Sequence, residues 1–158
     1  MKNRGKRKVI ALVACVLALV FLVQLPVEAE ETVSCSKLYG AVKEKCQDGA
    51  KKVYSKDKCT FLSYSYRKKA EDFYYATDSN QVYCVCIVKA ESTSDAKDIK
   101  KQFDSIKKDQ KNDRYLKKDE KKVVTGARTG RSGSYVWYIC LGSSSGNKKA
   151  EKALKKAL

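Results

Sequence analysis

Six cysteines follow the first thirty residues: Cys35, Cys46, Cys59, Cys84, Cys86 and Cys140. They are the side chains with the most chemistry open to them. In an exported chain, an even number of cysteines permits a set of disulfides, and each correct bridge contributes ~2–4 kcal/mol by restricting the unfolded chain. Free cysteine in a core is instead a small apolar filler, and both readings stay open for all six. Cys84-x-Cys86 resembles a redox pair only in outline. In a strand the two side chains share a face with Cα atoms roughly 6.5–7 Å apart, which is at the limit of disulfide reach. A redox Cys-x-x-Cys sits at a helix start, where the dipole lowers the thiol pKa. Packing is the better reading of this pair. Cys46, Cys84, Cys86 and Cys140 could together supply four thiolates to zinc, but the closely spaced cysteine knuckles of such sites are missing.

The chain has no histidine. That excludes Ser-His and Cys-His catalysis and His-ligated metal. No carboxylate pair stands out either. Glu71 and Asp72 are adjacent before a strand, so they point to opposite faces. These residues predict a non-enzyme with no cofactor and no metal.

Charge is the other resource. The net charge is +16 at pH 7, and lysine far outnumbers arginine. Lysine is a diffuse, hydrated charge, whereas arginine makes bidentate phosphate and carboxylate contacts. The bias suits loose attraction to polyanions: lipid head groups, wall polymers or shed nucleic acid. Gly126, Gly130 and Gly133 with Arg128 and Arg131 suggest a phosphate-cradling loop, but their spacing is not that of a P-loop. A glycine-bearing hairpin turn over 128–133 explains the glycines better and places both arginines at an exposed tip. Arg128, Arg131, Lys117, Lys118, Lys121 and Lys122 are the polyanion-contact candidates. Around these lysines, Asp109, Asp113, Asp119 and Glu120 alternate with Lys107, Lys108 and the later pairs, as on a solvated helical face. A nucleic-acid reader would show more arginine and exposed aromatics, so an anionic membrane surface or a cell-wall polymer is the expected partner.

The address comes from the N-terminus. Lys2, Arg4, Lys6, Arg7 and Lys8 precede an apolar run over 9–25, and Val27-Glu28-Ala29 supplies small or apolar residues for cleavage after Ala29. This is the layout of a secretory signal. As a helix the run would span about 25 Å, slightly short of a bilayer core of about 30 Å. Residues 1–29 are therefore a signal peptide or a membrane anchor, with everything beyond on the far side of the membrane. Leu12-Val13-Ala14-Cys15 resembles a lipobox, but only a short apolar stretch precedes Cys15. Residues 30–33 read as a linker, and 34–158 as one domain.

The elements that must position these side chains follow from periodicity. Cys35, Leu38, Tyr39, Val42 and Cys46 make one face of a helix over 34–48, stopped by Asp48-Gly49. Residues 51–58 are lysine-rich and exposed, and 59–70 are irregular or a short helix. Residues 72–77 form a strand. QVYCVCIVK, 81–89, is a stronger one, apolar on both faces and therefore central. Ser94 caps a helix to Lys111 with Ile99, Phe103 and Ile106 inward. Tyr115 and Leu116 anchor the charged stretch 112–120. Residues 121–127 and 134–141 read as strands, and Asn147 caps a last helix with Ala150, Ala153, Leu154 and Ala157 inward. The expected fold is α+β in the order α-β-β-α-β-β-α, a four-stranded, mainly antiparallel sheet with helices on one face.

From this order and these residues the chain resembles a bacterial family, domain of unknown function 4358, whose members are common among exported and lipid-anchored proteins of Firmicutes. VCIVKAESTSDAKDIKKQFDSIKKDQ is similar to the family's strand, Lys-Ala dipeptide, small loop and lysine-rich helix. KVVTGARTGRSGSYVWYICLG is similar to its glycine turn and Tyr-Val-aromatic strand. The likeness covers 73–158. It implies a fold and an envelope location and no reaction. Two roles are expected, in order: a non-catalytic envelope domain with a basic binding surface, then a thiol-based redox or metal-binding protein using the strand cysteines.

Overall fold

The computed structural model describes residues 32–45, 50 and 52–158. The leader, the Ala29 cleavage point, Cys15, Cys46 and the Asp48-Gly49 stop lie outside the described residues. Helix α1 is Cys35–Lys43, strand β1 Lys52–Tyr54, helix α2 Tyr64–Arg67, strand β2 Ala70–Thr77 and strand β3 Cys84–Ala90. Then come α3 Thr93–Asn112, α4 Lys118–Thr125, β4 Arg128–Ser132, β5 Tyr135–Cys140 and α5 Ser144–Ala157. The strands form one five-stranded sheet in the order β1-β2-β3-β5-β4, antiparallel throughout. The chain is an α+β protein, and 33–158 form one compact unit.

Strand β3 organises the core. Cys84, Cys86 and Val88 point into one apolar cluster, with Ile99 and Phe103 of α3 and Val124 of α4. Val85 and Ile87 point into a second cluster, with Leu38 and Val42 of α1 and Ala150 and Leu154 of α5. Helices therefore cover both faces of the sheet, and the expectation of one covered face is corrected. The physical reason is in β3 itself. A strand apolar on both sides needs a lid on each, since leaving Val85, Ile87 and Trp137 in water would forfeit about 1.5–3 kcal/mol per large side chain.

The fifth strand is β1. Its Val53 pairs with Ala76 and its Tyr54 with Tyr75. The short sequence Lys-Val-Tyr is largely exposed, as befits a sheet edge, where lysine blocks further pairing. That lysine content is what hid it. The predicted strand over 121–127 is a helix instead. Lys117 N–H donates to Glu120 Oε2 at 2.7 Å at its start, with Asp119 in the first turn, and only Val124 of its β-branched pair is fully buried. Partner to β5 is β4, so 128–132 is a strand and the turn is confined to Gly133 and Ser134. Gly133 has φ +54°, the conformation glycine tolerates in such turns.

Two caps also differ from expectation. Helix α3 starts at Ser92, whose Oγ accepts from Asp95 N–H at 3.0 Å. Helix α5 starts at Ser143, whose Oγ accepts from Gly146 N–H at 3.1 Å. Asn147 is buried inside α5's first turn. Its Oδ1 accepts from Leu141 N–H at 2.9 Å, and its Nδ2 donates to Gly126 O at 3.0 Å. It ties the end of α4, the end of β5 and the start of α5 together. Tyr115, expected as an anchor, is 85% exposed.

Candidate functional site

The register of β4 on β5 separates the two arginines. Directly opposed residues of an antiparallel pair share a face. Arg128 opposes Ile139 and so lies on the α1/α5 face, whereas Arg131 opposes Val136 on the α3/α4 face. Arg131 Nη1 donates to Gly133 O at 2.8 Å. Lys117, Lys118, Lys121 and Lys122 precede or lie on α4, which belongs to the α3 layer. The predicted polyanion contacts therefore form no single patch, and the shared arginine tip is corrected. Strand pairing alternates the side chains and sends them apart.

Arg128 instead joins α5. Arg128, Ser145, Lys148, Lys149, Glu151, Lys152 and Lys155 line an open cavity of about 490 Å³. The helix period explains the lining. Asn147, Ala150 and Leu154 face the core, so the lysines between them are turned outward. Lysine stems lie along the apolar surface and carry the ammonium groups to its rim.

Glu151 stands at the base of this groove, 5% exposed. It accepts from Arg128 Nε at 2.8 Å, from Lys155 Nζ at 3.2 Å and from the Trp137 indole N–H at 3.4 Å. Burial works to raise its pKa, but the hydrogen bonds from Arg128 and Lys155 outweigh it and hold the carboxyl below its ordinary value. Lys155 Nζ also lies 5.5 Å from the centre of the Trp137 ring. Lys148, Lys149 and Lys152 have no acidic partner among the described residues. Five cations thus surround one carboxylate, and that carboxylate is already occupied by two of them.

Gly130 makes room for the group. It opposes Trp137 across β4 and β5, and a Cβ there would sit 2.6 Å from the indole Nε1 and overlap its ring carbons. This glycine serves close approach, not a turn. Glu151, Trp137 and Lys155 were missed from sequence. The one signal was an acid among the lysines of the last helix.

The cysteines occupy a different environment. Cys59, Cys84, Cys86 and Cys140 lie in the α3-side cluster, Cys35 in the other, and all five are buried free thiols. Cys84 opposes Cys140 across β3 and β5. Burial pushes Cys84 and Cys86 well above the ordinary thiol range. It pushes Cys140 up to about 12 and raises Cys59. Cys35 is raised by burial and then by Asp72. Thiolate is the nucleophile and the ligand form, and these sites disfavour it. Among the described residues no group of three His, Cys, Asp or Glu is placed to hold a metal ion.

Residues 66–141 match the family described as Domain of unknown function (DUF4358). That segment belongs to the family. The DUF4358 match runs from within α2 through β5 and ends at Leu141, before α5, although the likeness read from sequence extends to Leu158. Arg128, Gly130 and Trp137 fall within the DUF4358 span, while the lysines of the groove and Glu151 follow it. No curated protein and no solved structure matches the chain.

Proposed function

We propose that this protein is an exported, non-catalytic binding module of the cell envelope, and that it engages anionic material through its basic surface. The observation that supports this most is the groove between α5 and β4. There Lys148, Lys149 and Lys152 have no acidic partner among the described residues, and Glu151 is already held by Arg128 and Lys155. A site with surplus positive charge and an open, concave floor attracts an anion from solution. The export part of the proposal rests on the basic head and the apolar run over 9–25.

Two measurements test it. Cell fractionation with N-terminal sequencing should find the protein in the envelope or the medium, either cut near Ala29 or held through 9–25. Purified protein should sediment with anionic vesicles or with cell-wall material at low salt and be released as salt rises, because exposed charges are screened within about 8–10 Å at physiological ionic strength. Intact protein in the soluble interior of the cell refutes the address, and retention unchanged by salt refutes the electrostatic role. The thiol and metal alternative gains no support from buried, protonated cysteines.

A further inference from the structure

We propose that the α5/β4 groove is a site for a linear, phosphate-bearing polymer, with Glu151 as the internal counter-ion that the phosphates replace. This rests on the anionic-binding role above and names the site and the ligand class. Two observations carry it.

The first is spacing. Lys148, Lys152 and Lys155 fall at i, i+4 and i+7 along α5, so their Cα atoms are stepped by about 6 Å and then about 4.5 Å along the helix axis. Arg128 faces them from β4. A row of point charges above a concave floor suits a chain with repeated negative groups better than a flat surface. The lining holds no exposed aromatic ring, and Trp137 is wholly buried beneath it. Bases would find nothing to stack on, so the fit is to phosphates without bases.

The second is the counter-ion. Arg128 and Lys155 are both committed to Glu151. An incoming phosphate would draw them outward, leaving Glu151 with the Trp137 indole. Arg128 and Lys155 are preorganised, and in the empty groove Glu151 neutralises these two cations while Lys148, Lys149 and Lys152 are left for an incoming anion. No covalent step is involved, only exchange of ion-pair partners.

The test uses the full chain in non-ionic detergent and long-chain inorganic polyphosphate as the probe. The readout is the emission of Trp137, the only tryptophan, whose indole N–H and ring touch Glu151 and Lys155. A saturable change in emission is expected. With four cationic contacts, affinity should fall about 50-fold between about 50 and about 200 mM salt. The double variant K148Q/K152Q should bind about tenfold more weakly at low salt, with about half the salt dependence. Its far-ultraviolet circular dichroism should be unchanged, since both lysines are exposed. No change of emission, or wild-type affinity in K148Q/K152Q, overturns the proposal. So does an equal response to phosphatidylglycerol vesicles that polyphosphate fails to compete away, which assigns the groove to a membrane. If K148Q/K152Q binds wall material with the affinity and the salt dependence of the wild type, the groove assignment falls while the broader role stands. If the wild-type chain binds nothing in a salt-sensitive way, both fall.

Discussion

Replacing Gly130 by alanine is the sharpest probe of the packing under the groove. The new methyl group would enter the indole of Trp137, 2.6 Å from Nε1, where the ring is fully buried. The ring has little room to retreat. On its own face it packs with Val85, Ile87, Ile139 and Leu154, and its N–H is directed at Glu151. Overpacking of this kind costs about 1–3 kcal/mol. If the ring tilts to escape, the hydrogen bond to the Glu151 carboxylate is lost as well, at about 1.5–3 kcal/mol for a charged acceptor. The total is about 2.5–6 kcal/mol, a large share of the 5–15 kcal/mol that stabilises an ordinary domain, as a rough range. At about 4 °C per kcal/mol for a domain of this size, the melting midpoint should fall by roughly 10–24 °C. Urea unfolding followed by far-ultraviolet circular dichroism and by Trp137 emission would measure it, with a red-shifted native emission if the indole is displaced. G133A is the matched control. Nothing lies within 4 Å of its added Cβ, and the cost is confined to φ +54°, about 1–2 kcal/mol. A G130A protein that unfolds at the wild-type midpoint, with native emission unshifted, refutes the close-approach argument.

Three further outcomes follow from the same geometry. N147A leaves Leu141 N–H and Gly126 O without the partners they have in the buried joint. It should destabilise the fold by about 2–4 kcal/mol, read from the urea midpoint, and a loss under about 0.5 kcal/mol would show that the joint is supported elsewhere. The Glu151 carboxyl is held below its ordinary 4.5, so its contribution is complete above that value and is lost as pH falls through the lower, folded pKa. Wild-type stability should therefore drop more steeply than that of E151Q on going below about pH 4.5, and parallel acid limbs in the two proteins would contradict the ion-pair assignment. Finally, Cys84, Cys86 and Cys140, buried and with raised pKa values, should resist iodoacetamide in the native state and react together on denaturation. Mass spectrometry showing rapid native labelling of any of them would reopen the thiol reading.

Much of the architecture was legible because it depends on local pattern. The two apolar faces of β3, the inward face of α3 at Ile99 and Phe103, and the α+β class follow from periodicity that survives without any knowledge of neighbours. Where the reading failed, a longer-range partner decided. Val123 and Val124 favour a strand by propensity, yet Glu120 at the helix start and burial of Val124 under α3's layer make 118–125 helical. Lys52–Tyr54 looks like solvated lysine-rich chain until β2 offers it an edge to pair with. Ser143 outcompetes Asn147 as the cap because Asn147 has three backbone partners in the interior.

Composition and order alone determined that the chain is strongly basic, lacks histidine, has a basic head followed by an apolar run over 9–25 and builds a sheet around a strand apolar on both sides. These are properties of residue type and of spacing over a few positions, and no fold is needed to read them. Tertiary structure alone decided which charges meet. Arg128 and Arg131 are three residues apart, yet the register of β4 sends them to opposite faces, and α5 brings Glu151 and Lys155 to Arg128 from more than twenty positions away. Charge is carried by the residue, but a site is made by geometry, and a strand's twofold alternation and a helix's return across the sheet are set by what they pack against.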